Sequence, residues 1–490
     1  MRRISYDFDS GFPRVLSEDP TLPTETIAAT DLKQLAEDVL ARALKAGATD
    51  AEAVVYEGDE FSTKVRLGQV ETLKESGSRA VGLRVFIASG KAARTASTSS
   101  SDFSAESIDR LVSGAVTLAR ITSEDPFAGL PDPSEFGQHD VAAQHLYFED
   151  VTLQPPADRI RIAREVEAAA IAFDTRIQNS GGGDFDAGTS HKIMMNSRGF
   201  TGEYRRSSCS FSAQPIAHDT DGKMQRNYWY SAARTTRLLE DPIAIGHEAA
   251  RRTLRRLGAR RVPTQQAPVV FSAEIARGII GNIFDAANGD AIYRHATFFA
   301  DMLGQRVAGE NITVIDDGTL VFNREGIDYG GYGTSPFDGE GLPTRRTVLV
   351  ENGILKNYVM NTYTARKLGM ASTGNASRSL ASNPGIGAGN FFLQPGTLTP
   401  EQIIGDVRQG LYVTETMGFG VNLVTGDYSQ GAAGLWIENG ELAYPVEEIT
   451  IAGNLKDMYQ NISAIGNDLV FRSASAAPTL RVEGMTIAGS

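Results

Sequence analysis

Leu435-Trp436-Ile437-Glu438-Asn439-Gly440-Glu441-Leu442 decides how the second half of this chain is read. Two apolar-rich runs flank Asn-Gly, the pair that supplies the two positive-φ residues of a type I′ turn, so the octapeptide spells a β-hairpin. The same signal occurs at Val348-Leu349-Val350-Glu351-Asn352-Gly353-Ile354-Leu355. The copies lie too far apart for a short-period solenoid. Glycine is dense around both: residues 1–250 hold 18 of the 50 glycines and residues 251–490 hold the other 32. Such a half reads as many short strands joined by tight turns, because glycine takes positive φ without a Cβ clash. Within it, Val269-Val270-Phe271 reads as a short buried strand. A helix follows, capped by Ser272, with Ile275, Ile279 and Ile283 on one stripe and Ala276, Ile280 and Phe284 beside it. One more helix is expected over residues 400–409.

The first half alternates helical and strand periods. Leu32, Leu35, Ala36, Val39, Leu40 and Ala43 follow helical spacing, with Gly47 placed to end the helix. Phe61, Thr63, Val65 and Leu67 alternate, as do Val81, Leu83, Val85 and Ile87, with Gly68, Gly77 and Gly90 as turn positions. Ser101-Asp102 is placed to cap a helix over 104–120, and a second helix follows Pro155-Pro156. Asn179-Ser180-Gly181-Gly182-Gly183 reads as a flexible turn, residues 190–235 as strands, and residues 242–257 as a helix. The fold class is therefore α+β. Residues 1–30 are expected as a poorly ordered lead-in, 31–262 as an N-terminal α+β domain with an antiparallel sheet, and 263–490 as a β-rich C-terminal domain. The boundary is set by Pro263 and Pro268.

The 490 residues carry 47 Lys and Arg against 60 Asp and Glu, a net charge of −13 that argues against a nucleic-acid partner. Hydrophobic content of 41% is that of a globular chain rather than a disordered one. The single cysteine, Cys209, cannot close an intrachain disulfide. The opening Met1-Arg2-Arg3-Ile4 has no apolar run behind it, and no stretch is long enough to span a bilayer. These features lead to an expectation of a cytoplasmic protein without a membrane partner.

No complete catalytic constellation emerges from the residues alone. His247-Glu248 begins like a helical zinc motif, but the next positions that should carry histidine are Arg251 and Arg252, so a Glu248–arginine salt-bridged face is expected instead. His139, His145, His191, His218 and His295 form no pair at ligand spacing, and Cys209 has no histidine at fixed range. Gly385-Ile386-Gly387-Ala388-Gly389 lacks the Lys-Ser/Thr of a phosphate loop. Asp316, Asp317, Asp338 and Glu340 could hold a hard cation or simply build turns.

Several strings of the second half are similar to those of the TldD/PmbA family of peptidase proteins, on its PmbA (TldE) branch. They include Ser335-Pro336-Phe337-Asp338-Gly339-Glu340-Gly341, Tyr363-Thr364-Ala365-Arg366-Lys367-Leu368-Gly369, Ser372-Thr373-Gly374-Asn375-Ala376, Val413-Thr414-Glu415, Val424-Thr425-Gly426-Asp427-Tyr428-Ser429, residues 431–440 and residues 448–458. The resemblance implies a heteromeric protease in which a TldD-like subunit carries an H-E-x-x-x-H helix and a later cysteine that hold zinc. In this chain the matching helix has Gly281, Asn282 and Ala286 at those positions, and Ser473-Ala474-Ser475 stands where the cysteine would be. The resemblance therefore implies no catalytic residue and no metal or other cofactor in this chain, with zinc in a TldD-like partner and a peptide as substrate. Strand edges beside the Asn352-Gly353 and Asn439-Gly440 hairpins are candidates for holding that peptide by strand addition. Asn375, Arg378, Asp427 and Tyr428, in the most family-like loops, are candidates for a peptide- or subunit-contacting surface. The alternatives are a homo-oligomeric peptide-binding or maturation factor, and a hydrolase with a metal held by Asp316, Asp338 and Glu340.

Overall fold

The computed structural model describes residues 31–138, 140–220 and 222–489, so the expected lead-in at 1–30 and His139 lie outside the described residues. The first domain is built on one antiparallel sheet. Its strands are β1 (Asp50–Arg66), β2 (Gln69–Ser89), β3 (Ala92–Ser100), β4 (Ile177–Asn196), β5 (Thr201–His218), β6 (Met224–Arg226) and β7 (Trp229–Ala233). The order is β3-β2-β1-β4-β5-β6, with β7 also on β5. Four of these strands run for 17 to 21 residues, well beyond the usual 3–10.

Those lengths correct two expectations. Gly77 is no turn but pairs with Asp59 inside the β1–β2 ladder. Asn179–Gly183 is also part of a strand, β4, where the register slips between Ser180 and Gly183. Glycine serves there by leaving room, because a Cβ on Gly183 would strike the Ala163 carbonyl of the helix above. The Leu67 side chain falls in the β1–β2 turn at φ 48° and is exposed, so the inward alternation stops at Val65.

Helices cover one face of this sheet. Helix α1 (Leu32–Lys45) and α2 (Ala105–Ile121) pack on Ala51, Ala53, Val55, Leu83 and Val85. After the short α3 (Asp150–Leu153), α4 (Pro156–Ala172) and α5 (Pro242–Leu254) cover the far end, over Val65, Phe185, Phe211 and Trp229. The cap of α2 is Ser104, whose hydroxyl accepts from the Ser107 amide, while Asp102 braces it by accepting from the Ser104 and Ser107 hydroxyls.

In the second half, β8 (Gln265–Phe271) lies between strands 409–417 and 480–488, and strand 427–438 pairs with both 409–417 and 441–454. Residues 450–452 pair in turn with 486–488, so the five strands close on themselves. Both Asn-Gly turns have the predicted positive φ at each residue, 47° and 78° at Asn352-Gly353 and 52° and 83° at Asn439-Gly440. The helix expected over 400–409 is shorter, Pro400–Gly405, because Gln409 already pairs with Glu438. A second, five-stranded sheet includes strands 314–317, 346–351 and 390–393. Helix α6 (Ala273–Ala286) sits in the main core with Phe271, Val413, Trp436 and Tyr459.

The two domains meet on the helix-free face of the long sheet. Phe337 enters a pocket formed by Val54, Met194, Phe200 and Tyr204. Gly82 makes close approach possible at a second point, where any Cβ would collide with the Leu380 carbonyl. Arg234, 4% exposed, inserts its guanidinium among the carbonyls of Gly330, Gly331 and Tyr332 at 2.7–3.1 Å.

Candidate functional site

Helix α6 follows β8 directly. The Ser272 amide donates to the Val413 carbonyl and fixes where the helix starts, although the Ser272 hydroxyl makes no cap bond. Ala276, Ile279, Ile280, Ile283 and Phe284 face the core, and a Cβ on Gly278 or Gly281 would meet nothing within 4 Å, so the opposite face is open. Of the three motif positions, Gly281 lies on this open face. Asn282 turns its amide back to the Gly278 carbonyl at 2.9 Å. Ala286 is fully buried in the core. Positions five apart lie roughly 140° around a helix from one another, so Gly281 and Ala286 do not share a side. Neither glycine nor alanine offers a zinc donor, and the Asn282 amide nitrogen is committed. Ser473, in the place of the late cysteine, accepts from Arg277 of α6 at 3.0 Å. The helix and the segment at Ser473 do meet in space, but the residues present do not fit zinc.

The N-terminal end of α6 borders a polar groove of about 580 Å³, lined among others by Trp229, Tyr230, Arg252, Arg256, Glu274 and Glu415. Arg252 lies 3.5 Å above the Trp229 ring and also pairs with Glu248 and Glu274 at 2.8 and 3.1 Å. Glu248 joins Arg251 as well, as the His247-Glu248 reading expected. Beyond Phe271, where β8 ends, no strand pairs with the outer edge of residues 414–417 among the described residues. That edge opens on the groove.

The hairpin edges expected for strand addition are largely covered. The Leu355 amide donates to the Gln305 carbonyl and the Val307 amide to the Gly353 carbonyl. Beside Asn439-Gly440, strand 427–438 is paired on both sides, and Arg260 bridges the 441–454 strand at Pro445 and Glu447. Sequence gives no warning of this, because both covering segments come from distant parts of the chain.

Asn375 and Arg378 are not on a surface. Asn375 and the side chain of Arg378 are buried, in the wall of a cavity of about 310 Å³ between the long sheet and the second domain. Asn375 donates to Asp316 Oδ2 at 2.7 Å. Arg378 and Arg84 both pair with Glu52, which is fully buried on β1 directly opposite Arg84 on β2. Burial lowers the Arg378 pKa. Asp338 accepts from the Glu340, Leu342 and Ala376 amides, and Glu340 from the Thr362 amide, so these carboxylates brace loops. Burial, with the neighbouring Glu340 charge, nonetheless raises the Asp338 pKa above the ordinary carboxylate range. Asp317 accepts from Thr319 within its own turn. Among the described residues no three His, Cys, Asp or Glu side chains gather as a metal-holding set.

Asp427 and Tyr428 lie apart from that cavity. Asp427 is exposed and bonds Thr425 and Asn454 across its turn, while Tyr428 is 2% exposed in the second-domain core, where burial raises its pKa. Cys209 is buried on β5, and burial pushes its thiol up to about 12. The residues that sequence reasoning missed are Lys192, Tyr204 and Arg206. Lys192 and Tyr204 face each other across β4 and β5, and Arg206 is two residues on, hence on the same face. The alternation of charged and aromatic residues was a visible signal. The loop it faces was not.

A long antiparallel sheet backed by helices on one face, and docked on the other to a closed glycine-rich β-region with a polar groove beside α6, defines an α+β class of protein. Three family models, described as PmbA/TldA metallopeptidase domain 1, central domain and C-terminal domain, match residues 51–119, 149–257 and 264–489. The chain is 37% identical to the metalloprotease PmbA of Escherichia coli O157:H7, covering 93% of this chain and 97% of that one. It is 34% identical to the metalloprotease PmbA homolog of Haemophilus influenzae, covering 94% and 96%. Among solved structures it is similar to a candidate modulator of DNA gyrase from Bacteroides thetaiotaomicron (TM-score 0.84, 26% identity, 94% and 99% covered). It shares its fold with TldE from Thermococcus kodakarensis (TM-score 0.80, 21% identity, 93% and 100% covered). The chain belongs to the PmbA/TldD family, on its PmbA branch.

Proposed function

We propose that this chain is the non-catalytic, PmbA/TldE-like subunit of a heteromeric zinc metalloprotease of the cytoplasm, and that it forms part of a chamber in which a TldD-like partner cleaves small unfolded peptides. The observation that carries this reading is the open face of α6, where Gly281 offers no ligand and Asn282 spends its amide on its own helix. Water activation needs a metal held by at least three protein donors and a base for the water, and this face has neither. The groove beside it supports peptide handling. The unpaired edge of residues 414–417 can bond an extended backbone irrespective of sequence, and Arg252 over Trp229 lines the groove. Relatives named metalloprotease TldD homolog, such as that of Buchnera aphidicola at 27% identity over 61% of this chain, support a partner of related architecture.

The test is peptide cleavage by the purified chain, by a TldD-like partner and by their mixture, each with and without a chelator. Cleavage by the mixture alone, abolished by the chelator, is the expected result. Chelator-sensitive cleavage by this chain in isolation overturns the proposal.

A further inference from the structure

The interdomain cavity has no part in the reading above. It shares no lining residue with the groove beside α6, and it is unusually polar for a space between two hydrophobic cores. At about 310 Å³ it is at the lower end of small-molecule pockets.

One end is basic. Lys192 and Arg206 flank the buried Tyr204, and Arg345 stands exposed at the rim. None of the three cations is ion-paired with a carboxylate among the described residues. Arg206 spends one nitrogen on the Thr334 carbonyl at 2.7 Å and leaves its buried Nε without a partner. Arg234 lies close enough to Arg206 for the two charges to repel. Burial alone would raise the Tyr204 hydroxyl, yet Lys192 and Arg206 outweigh it and bring its pKa below the ordinary value. So strong an unneutralised positive field calls for an anion.

The rest of the wall carries the carboxylates Asp316 and Asp338, with Arg378 beside them tied to Glu52. Asp316, 1% exposed, has Oδ2 bonded to Asn375, while Oδ1 makes no hydrogen bond of ordinary geometry and the Gly389 amide is the one backbone donor near the carboxylate. An orphaned buried carboxylate oxygen is costly unless something binds it. Burial pushes Asp316 up to about 6, which leaves it mostly ionised at neutral pH. No cation of this chain is among the charges that act on it. Asp338, also in the wall, has both oxygens occupied by backbone amides and offers nothing to a ligand.

We propose that this cavity binds a small zwitterion of the free amino acid or dipeptide class, its carboxylate held by Lys192 and Arg206 with Arg345 at the rim, and its ammonium group by Asp316 Oδ1. The unpaired cations and the orphaned oxygen then neutralise across one ligand, which a simple anion cannot achieve.

Calorimetric titration of the full-length chain tests this with alanyl-alanine, N-acetyl-alanyl-alanine, alanyl-alanine amide and inorganic phosphate. Alanyl-alanine is expected to bind at least tenfold more tightly than any of the other three. The isosteric Asp316→Asn variant is expected to lose the preference for a free amine, and Lys192→Met the preference for a free carboxylate. Should either variant fail to fold, the four-ligand comparison on the unaltered chain decides alone. Phosphate binding as tight as alanyl-alanine, a capped dipeptide binding equally well, or no saturable binding at millimolar concentration would each overturn the proposal. None of these results depends on a zinc-bearing partner, so the two proposals fail separately.

Discussion

Glu52 is the one carboxylate that ion-pairs two buried guanidiniums among the described residues. It is fully buried, with Arg84 and Arg378 also almost completely buried, one from each domain. Removing its charge leaves two guanidiniums without their ion-pair partner, and breaking such a cluster costs on the order of 3–5 kcal/mol. Glu52→Gln is therefore expected to lose about that much stability in urea denaturation, while Glu106→Gln, in an exposed helix pair, changes it by less than about 1 kcal/mol. Asp316 gives a pH test with a definite sign. Its folded pKa of about 6 is above that of an unfolded aspartate, so folding takes up a proton in between. Its contribution is fully present below the unfolded value and is lost as pH rises through about 6. Asp316→Asn should thus become relatively more stable than the unaltered chain on going from pH 4 to pH 7, read from the difference between their melting curves. Cys209, buried and held near 12, should resist thiol labelling at pH 8 until the chain unfolds.

Elements were legible where their cause is local. An Asn-Gly turn needs only its own two dihedrals, so both hairpins could be read directly, and the apolar stripe of α6 was plain from its spacing. Strand lengths were not legible. Gly77 and Gly181-Gly182-Gly183 look like turns in isolation, and only pairing with neighbours such as Asp59 and Ala213 makes them strand. The same limit applies to the candidate site. Asn375 and Arg378 stood out as family-like, but Arg378 is buried against Glu52, 326 residues away, and Asn375 against Asp316, 59 away, and the pairing of Arg206 with Thr334 spans 128. Helix α6 supplies its own prediction. Gly278 and Gly281 have helical φ and open space where a Cβ would project, so Gly→Ala at either position is expected to stabilise by about 0.5–1 kcal/mol. A calorimetric melt that shows destabilisation instead would mean that this face is already covered.

At the scale of the molecule, the two halves are held by scattered contacts that include the Phe337 plug, the Arg234 insertion, the contact of Gly82 with Leu380 and the Glu52–Arg378 pair. Gly82→Val should force the Leu380 loop away. Hydrogen exchange is expected to rise over residues 376–386 and along the facing part of β2, with α1 and α2 still protected. The closed ring of second-domain strands has a consequence for biosynthesis. β8 must wait for Leu480–Ala488, about two hundred residues downstream, before its second ladder can form, and strand 441–454 waits for the same segment. While the ribosome is still making the intervening loops, both strands present bare, sticky margins. This half of the nascent polypeptide must therefore be shielded, or translated quickly, until its closing piece emerges.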